Sequence, residues 1–138
     1  MSDSDYKSDA LKAMDKLQEV SPTMCLAKWN QTSLHLPTGL TNSCYHPPLH
    51  QIDADEVKLN PAALHNTAEK LTQRREMLDG KQPKGCSYCW NIEKTGEMSD
   101  RHYRSGEPWA MQDFNDIRKN PIDERWTPRY VEVNFNNA

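Results

Sequence analysis

The sequence predicts a small α+β domain that is rich in loops and is held together by a metal site. Three observations carry this prediction: a hairpin signal over residues 32–44, a long helix signal over 61–79, and four cysteines in a chain that is only 36% hydrophobic. Nine prolines indicate that much of the chain is loop. A core this thin usually needs an additional constraint, which the four cysteines can supply.

The composition excludes several classes of protein. A length of 138 residues corresponds to one domain. The net charge of −3 argues against non-specific nucleic-acid binding, which needs a basic surplus. No apolar run approaches the roughly 20 residues that span a bilayer, and the N-terminus has no apolar region typical of a secretory signal. We therefore expect a cytoplasmic protein, in which clustered cysteines bind metal more often than they form disulfides.

Residues 1–20 are predicted to form an N-terminal arm and helix. Residues 1–8 are polar and are expected to be frayed. Ser8 is a candidate cap for a helix that ends near Val20, in which four apolar residues recur every three positions: Leu11, Met14, Leu17 and Val20. The rest of the chain, 21–138, is predicted to be one cysteine-ligated domain.

A β-hairpin is predicted over residues 32–44. Side chains alternate from Thr32 to Leu36, and Pro37–Gly39 supplies a turn. In the predicted register, three pairs of residues face each other: Leu36 with Leu40, Leu34 with Asn42, and Thr32 with Cys44.

Helices are predicted to follow the hairpin. Asp53 and Glu56 have the spacing of a capping box, which predicts a short helical turn over 53–59. Asn60 and Pro61 are typical of a helix start, so one helix is predicted over 61–79 and ends at Gly80. Ala68 shares a face of this helix with three leucines. The predicted core consists of these three leucines and two leucines of the hairpin: Leu34, Leu36, Leu64, Leu71 and Leu78.

The C-terminal part is predicted to be mostly irregular. Residues 81–108 are rich in turn signals, and a weak helix signal covers 109–119. Tyr130–Phe135 alternates like a strand. The segment therefore adds one predicted strand to the hairpin.

The four cysteines are predicted to meet at one site. Cys86 and Cys89 form a C-x2-C motif, a spacing that directs two thiolates toward one metal or cluster. Cys25 and Cys44 flank the predicted hairpin, and the long helix returns the chain toward the C-x2-C motif. Residues 25–31 must fold back for Cys25 to reach the site.

This pattern resembles the opening motif of SPASM and twitch domains, the auxiliary-cluster extensions of radical SAM enzymes. Cys25 and Cys44 enclose C-x13-G-x4-C, and a hairpin, a helix and a C-x2-C motif occur in the order seen in that family. The flanking sequences resemble the twitch domain-containing radical SAM proteins of tailed phages and some bacteria. The resemblance extends over about residues 20–135. Five stretches carry it: Met24–Trp29, Ser43–Pro47, Asn60–Thr67, Gly85–Trp90 and Ser99–His102.

The resemblance implies that Cys25, Cys44, Cys86 and Cys89 ligate one [4Fe–4S] cluster. A full SPASM domain has further cysteines for a second cluster, so the resemblance is to the single-cluster twitch type. The segment 131–137 resembles the first strand of a radical SAM core. No C-x3-C-x2-C motif for the SAM-cleaving cluster is present in the sequence. We therefore interpret the chain as a free-standing twitch domain, a fragment of a longer enzyme or a split partner of a separate core.

Zinc remains the alternative occupant of the cysteine site. Zinc binds four thiolates at about 2.3 Å in a closed tetrahedron, whereas a [4Fe–4S] cube needs ligands at four corners. Only one C-x2-C motif is present and the other two cysteines come from distant elements, which favours the larger cluster. Four aromatic residues lie close to cysteines and are interpreted either as shields of a cluster or as ordinary core: Trp29, Tyr45, Tyr88 and Trp90.

Other polar residues are weighed against simpler interpretations. His46 and His50 follow Cys44 and are interpreted as hydrogen-bonding neighbours of the site or as loop residues. His65 is predicted to be a surface or packing residue. The charged group around Arg74 is predicted to form a solvated helix face: Glu69, Lys70, Arg74, Arg75 and Glu76. Residues 97–106 are predicted to form an exposed loop rather than an anion or peptide carboxylate site.

Two functions are expected from different classes. The first is a [4Fe–4S] protein that transfers electrons or docks a substrate or partner for a radical SAM-type reaction, with a radical SAM core or a peptide or protein as partner. The second is a zinc-stapled interaction module without a redox role. A phage-encoded accessory protein, located in the host cytoplasm, is a third. No other catalytic motif is present, so the chain alone is not expected to be an enzyme.

Overall fold

The computed structural model describes residues 3–136 as a small α+β domain. The helices are α1 (Asp3–Val20), α2 (Ala27–Asn30), α3 (Ala54–Leu59), α4 (Ala68–Leu78), α5 (Ser87–Glu93), α6 (Asp100–Ser105), α7 (Pro108–Met111) and α8 (Phe114–Lys119), with 3-10 turns at Pro61–Leu64 and Lys84–Cys86. The strands are β1 (Gln31–His35), β2 (Leu40–Asn42), β3 (His50–Gln51) and β4 (Tyr130–Asn134). The predicted fold class is confirmed.

The four strands form one mixed sheet in the order β3-β2-β1-β4. β2 pairs antiparallel with both β1 and β3, whereas β4 lies parallel to β1. The strand predicted near the C-terminus is therefore confirmed as β4. Residue 137 of the segment that resembles a radical SAM strand lies outside the described residues.

The hairpin is confirmed, but its predicted register is wrong by one residue. Asn42 pairs with Ser33 instead of Leu34, and Leu40 pairs with His35. The turn is one residue longer than predicted, because the His35 carbonyl accepts the backbone amide of Gly39 at 2.8 Å. Gly39 has φ of +69°, a conformation that glycine adopts without strain. A shift of one residue exchanges the faces of paired side chains.

The single helix predicted over 61–79 is wrong, because the chain turns between the 3-10 segment and α4. Thr67 precedes α4 in extended conformation, and its hydroxyl accepts the backbone amide of Lys70. This is the hydrogen bond of an N-cap, so a second helix begins here. The predicted short helix is confirmed as α3, where the Asp53 carboxylate caps the first turn.

The turn before α4 directs two polar side chains into the protein. Nε2 of His65 donates to the carbonyl of Trp29 at 2.6 Å, and Nδ2 of Asn66 donates to the carbonyl of Trp126 at 2.9 Å. His65 is buried, so it is a packing residue and not a surface residue. The helix boundary thus follows tertiary hydrogen bonds.

The predicted leucine core is only partly correct. Leu34 is buried, and Leu71 and Leu78 are half-buried. Leu36 and Leu64 are 57% and 39% exposed, because Leu36 lies in the longer turn and Leu64 ends the 3-10 turn at the surface. The observed core is built mainly from other apolar residues: Leu17, Met24, Leu26, Trp29, Met77, Trp90, Ala110, Phe114 and Ile117.

Helix α1 begins earlier than predicted and buries a different face. It starts by Asp3, so the expectations of a frayed 1–8 segment and of a cap at Ser8 are wrong for the described residues; Met1 and Ser2 lie outside them. Leu17 is buried as predicted, but Leu11 and Met14 are exposed and small residues face inward instead: Ala10 and Ala13. Helix α1 packs against α6.

The prediction of a loop over 81–108 is wrong, because much of this segment is helical. The 3-10 turn and α5 carry the C-x2-C motif, and six residues separate α5 from α6. The weak helix predicted over 109–119 is divided between α7 and α8. No helix within residues 3–136 is long and apolar enough to cross a membrane.

Candidate metal centre

The side chains of all four cysteines line one pocket. Cys25 lies in the connection from α1 to α2, and Cys44 follows β2. Cys86 ends a 3-10 turn and Cys89 lies in the first turn of α5. The thiols are free, with no disulfide among the described residues. Three separate segments of the chain thus bring the four cysteines to a common space.

Short helix α2 provides the fold-back that Cys25 needs. The backbone amide of Lys28 donates to the carbonyl of Cys25 at 3.2 Å, so the chain coils immediately after the cysteine. The Ser105 hydroxyl accepts the backbone amide of Leu26 at 3.0 Å and fixes this coil to α6. Strand β1 then begins at Gln31, which carries the chain away from the pocket.

The C-x2-C segment is held by close packing rather than by a tight turn alone. A Cβ atom on Gly85 would lie 3.1 Å from Nε2 of Gln73, so glycine permits the close approach of this segment to α4. Nε1 of Trp90 donates to the carbonyl of Pro83 at 2.9 Å. These contacts position the two cysteines on consecutive helical turns.

Burial governs the protonation of the cysteine thiols. Removal from water raises the pKa of Cys25 to about 12 and the pKa of Cys89 to about 11. It also raises the pKa of Cys44, which Lys28 and the backbone amide of His46 lower in turn. Near pH 7 these three groups are therefore neutral thiols, and binding of a metal group must release their protons.

The four sulfurs do not form a single-ion site. Within residues 3–136, no group of three or more cysteine, histidine or carboxylate side chains is close enough to hold one metal ion. The free space among the cysteines is about 20 Å³, enough for little more than one water molecule. The atoms of a metal or cluster bonded to the sulfurs lie closer to them than a water molecule can, since metal–sulfur bonds of about 2.3 Å are shorter than non-bonded contacts. The volume free for water therefore understates the space open to a bonded metal or cluster.

A polar layer forms part of the rim of the pocket. The ring of His46 stacks on Tyr88 with a centroid distance of 3.7 Å, and its Nε2 lies 2.6 Å from Oδ2 of Asp100. His46 thus contacts the site through hydrogen bonding and stacking, as predicted for a neighbour of the cysteines. His50 lies elsewhere, with its Nε2 2.7 Å from the Thr67 hydroxyl.

The prediction that 97–106 is an exposed loop is wrong. The segment contains α6, and Arg101 is buried between structural elements. Its guanidinium bonds both carboxylate oxygens of Glu93, at 2.5 and 3.0 Å, and the carbonyl of Met24 at 2.7 Å. Arg101 therefore connects α5 and α6 to the residue before Cys25. A fork-shaped ion pair of this kind fixes geometry as well as charge.

The aromatic residues near the cysteines divide between core and rim. Trp29 and Trp90 are buried, and only Trp90 lines the pocket. Tyr88 is about half exposed and contacts the site through its stack on His46. Tyr45 is also about half exposed and lies beside Arg104. The interpretation as ordinary core fits Trp29, and a position beside the site fits Trp90 and Tyr88.

Three buried cations back the pocket, and sequence analysis did not identify them. Lys28, Lys70 and Arg74 are 2%, 0% and 2% exposed. Nζ of Lys28 donates to the Ser43 hydroxyl at 2.8 Å and to Oε1 of Gln73 at 2.6 Å. The prediction of a solvated helix face is therefore wrong for Lys70 and Arg74.

The partners of these cations are neutral. Nζ of Lys70 donates to the hydroxyls of Thr32 and Thr41 at 2.8 and 3.1 Å. Arg74 donates to Oδ1 of Asn66 and to the carbonyl of Lys28. Burial and the neighbouring cations lower the pKa of Lys70 to about 7.

A signal for this layer exists in the sequence. Lys70, Gln73, Arg74 and Met77 have the i, i+3, i+4, i+7 spacing of one helix face, and all four are buried. The same spacing is equally typical of a solvated stripe. Only the contact with the sheet distinguishes the two interpretations.

The comparisons with known proteins give no relative for this chain. It matches no protein-family model, no curated protein and no solved structure.

Proposed function

We propose that the four-cysteine pocket holds a [4Fe–4S] cluster and that the chain is a twitch-like iron–sulfur protein. Its role is electron transfer, or docking of a substrate or partner, for a radical SAM-type reaction. The observation that carries this proposal is the meeting of Cys25, Cys44, Cys86 and Cys89 in one pocket from separate elements. Bound there, the cluster supplies one-electron chemistry.

The donor set fits this group. A [4Fe–4S] cube takes one thiolate at each of four corners, so it does not need four sulfurs gathered around one point. Zinc needs four sulfurs around a single ion. The arrival of these cysteines from three segments, only one of which carries a C-x2-C pair, therefore supports the cluster over zinc.

The charge of the surroundings also supports an anionic occupant. Among the described residues, no carboxylate lies within 4 Å of the amine or guanidinium nitrogens of Lys28, Lys70 or Arg74. Buried charges normally have a partner of opposite sign. Four thiolates around an iron–sulfur cube carry a net negative charge, and Lys28 lines the pocket where that charge is placed.

The residues around the pocket have defined tasks in this proposal. Lys28 favours the thiolate form of Cys25 and Cys44. Arg101 holds α6 and the segment before Cys25 in place through its bonds to Glu93 and Met24. His46 and Tyr88 limit solvent access at the rim.

Anaerobic purification tests the proposal directly. We expect a brown protein with about four iron and four sulfide per chain, and loss of most iron in each single Cys→Ser variant, since each removes one corner ligand. Ser87→Ala, between the two cysteines of the C-x2-C motif, is the matched control and should retain full iron. A colourless protein with one zinc per chain would instead establish the zinc-stapled module. Full iron in Cys25→Ser would exclude Cys25 as a ligand.

A further inference from the structure

Buried polar atoms without a hydrogen-bond partner are concentrated on one face of the sheet. Among the described residues, four of the seven such side-chain atoms belong to Gln31, Ser33 and Asn42. These three residues project to the same side, because Gln31 and Ser33 are two apart on β1 and Asn42 pairs with Ser33 across the hairpin. We call this side the polar face. Its polar side chains include Gln31, Ser33, His35, Asn42, Glu132 and Asn134, and Leu40 and Tyr130 lie on the same side.

A cavity of about 400 Å³ lies over the polar face. It is lined by Ser33, Asn42 and Glu132 from three different strands, and its wall is completed by the segment from Tyr45 to Leu49. A volume of this size accommodates a small molecule. The cavity and the cysteine pocket share His46 and Pro47 as wall residues.

Two side chains in this cavity are polar, buried and unsatisfied. Ser33 and Asn42 are 2% and 5% exposed, and neither the Ser33 hydroxyl nor Oδ1 of Asn42 has a partner among the described residues. Nδ2 of Asn42 donates to the carbonyl of Pro47 at 2.9 Å, which fixes the amide so that Oδ1 is the free acceptor. Leaving such groups unpaired costs free energy, so a partner from outside the protein is expected.

We propose that this cavity binds a small polar ligand that carries N–H donors, an amide or an ammonium group. Oδ1 of Asn42 accepts hydrogen bonds, the Glu132 carboxylate accepts one from Tyr45 and carries negative charge, and the lining contains no lysine or arginine. The unpaired acceptor of Asn42 and the charge of Glu132 favour a ligand with donors over an anion, and His35, His46 and Asn134 add groups that can also donate. The Ser33 hydroxyl adds one group that both donates and accepts.

The cavity lies next to the cysteine pocket, so a ligand bound in it is close to the cysteines. His46 separates the two spaces, with its ring against Tyr88 and its Nε2 against Asp100. A ligand in the cavity therefore lies one aromatic ring away from the cysteine side chains. The ligand site itself stands on the polar face and does not depend on which group the cysteines hold.

Calorimetric titration of the anaerobically purified chain tests this site with three probes. Asparagine amide carries an ammonium and two amides, N-acetylasparagine amide is its neutral counterpart, and succinate is a dianion of similar size. We expect saturable binding of both amides and none of succinate. Crystals soaked with asparagine amide should show it over Ser33 and Asn42. Equal binding of succinate, no saturable binding of either amide, or only ordered water at these two residues would overturn the proposal.

Two variants separate binding from folding. Ser33→Ala removes an unpartnered hydroxyl and should weaken both amides about three- to tenfold, the worth of one hydrogen bond. Glu132→Gln should weaken asparagine amide more than its acetylated form, because only the former carries a positive charge. Thr72→Ala, an exposed hydroxyl on α4, is the control and should bind as the parent does. Unchanged affinity in both Ser33→Ala and Glu132→Gln would overturn the proposal, and Glu132→Gln, at a half-buried position, keeps the test decisive if Ser33→Ala does not fold.

Discussion

Both faces of the sheet carry buried polar side chains, but the hydrogen bonding of these side chains differs between the two faces. On the face toward α4, the hydroxyls of Thr32 and Thr41 both accept from Nζ of Lys70. On the polar face, Ser33 and Asn42 keep atoms without partners among the described residues. On the first face, the polar groups hydrogen-bond to the buried amine of Lys70. On the second face, they remain free to bind a partner from outside the protein. Burial alone therefore does not distinguish a structural polar residue from a ligand-binding one; the completeness of its hydrogen bonding does.

Removal of the group in the cysteine pocket should have the largest effect on this comparison. Without an anionic occupant, Lys28 loses the negative charge that the proposal places beside it, and the thin core must offset its burial. We expect the melting temperature at pH 7, followed by circular dichroism, to fall sharply after chelation or oxidative loss of the cluster. Lys28→Met should partly restore the melt of the emptied protein, because it removes one unpaired charge. A similar melting temperature before and after removal would contradict this account.

The dependence of the unfolding free energy on pH above neutrality should come mainly from Lys70, which contacts the sheet face toward α4. Lys70 has a pKa of about 7 in the folded protein and an ordinary value near 10.5 when unfolded, so the unfolded chain binds more protons between these values. The Lys70 contribution to the unfolding free energy of the emptied protein should therefore rise from pH 7 to 10, by an amount on the order of 4 kcal/mol. It falls again as the pH is lowered toward 7. Above about pH 8.5 the buried thiols of Cys25 and Cys89 contribute in the opposite direction, because they ionise in the unfolded chain first.

Denaturant titrations at several pH values in Lys70→Met check this expectation. The slope attributed to Lys70 should disappear in the variant, and it should be smaller in the loaded parent because an anionic occupant favours the charged amine. Lys58→Met, an exposed lysine, is the control and should keep the slope. An unchanged slope in Lys70→Met would assign the effect to another group.

A matched pair of hydroxyl deletions should give the smallest but most direct comparison. Thr32→Val leaves Lys70 with one fewer acceptor and should lower the unfolding free energy by about 1–3 kcal/mol. Ser33→Ala removes an atom that has no partner and should change it by less than about 0.5 kcal/mol. Equilibrium denaturation of both variants in the loaded state measures the difference. Equal destabilisation would show that the Ser33 hydroxyl is satisfied within the protein.

The sequence alone could predict the hairpin, the last strand and short helix α3, because each has a local signal. Turn residues mark the hairpin, alternation marks β4, and Asp53 marks α3. The common position of the four cysteines was also a sequence prediction, and their role as ligands stays a prediction. These features depend on residues that are close to one another in the chain or on a pattern of cysteines.

The rest depends on contacts between distant residues. The register follows from a backbone hydrogen bond across the turn at Gly39, and the break before α4 follows from the inward hydrogen bonds of His65 and Asn66. The burial of Lys70 requires two threonines on different strands. Apart from the turn bond at Gly39, these partners are far apart in sequence, so local propensity carries no record of them.

Because β4 pairs in parallel with β1, the sheet can be completed only after β4 has been synthesised. The paired residues His35 and Asn134 are 99 positions apart, and contacts of such long range form slowly. All four cysteines precede β4 in the chain, so the elements that carry them emerge from the ribosome before the sheet can be completed. Under the proposed function, loading of the cysteine site can therefore begin on a nascent chain, before β4 closes the edge of the sheet.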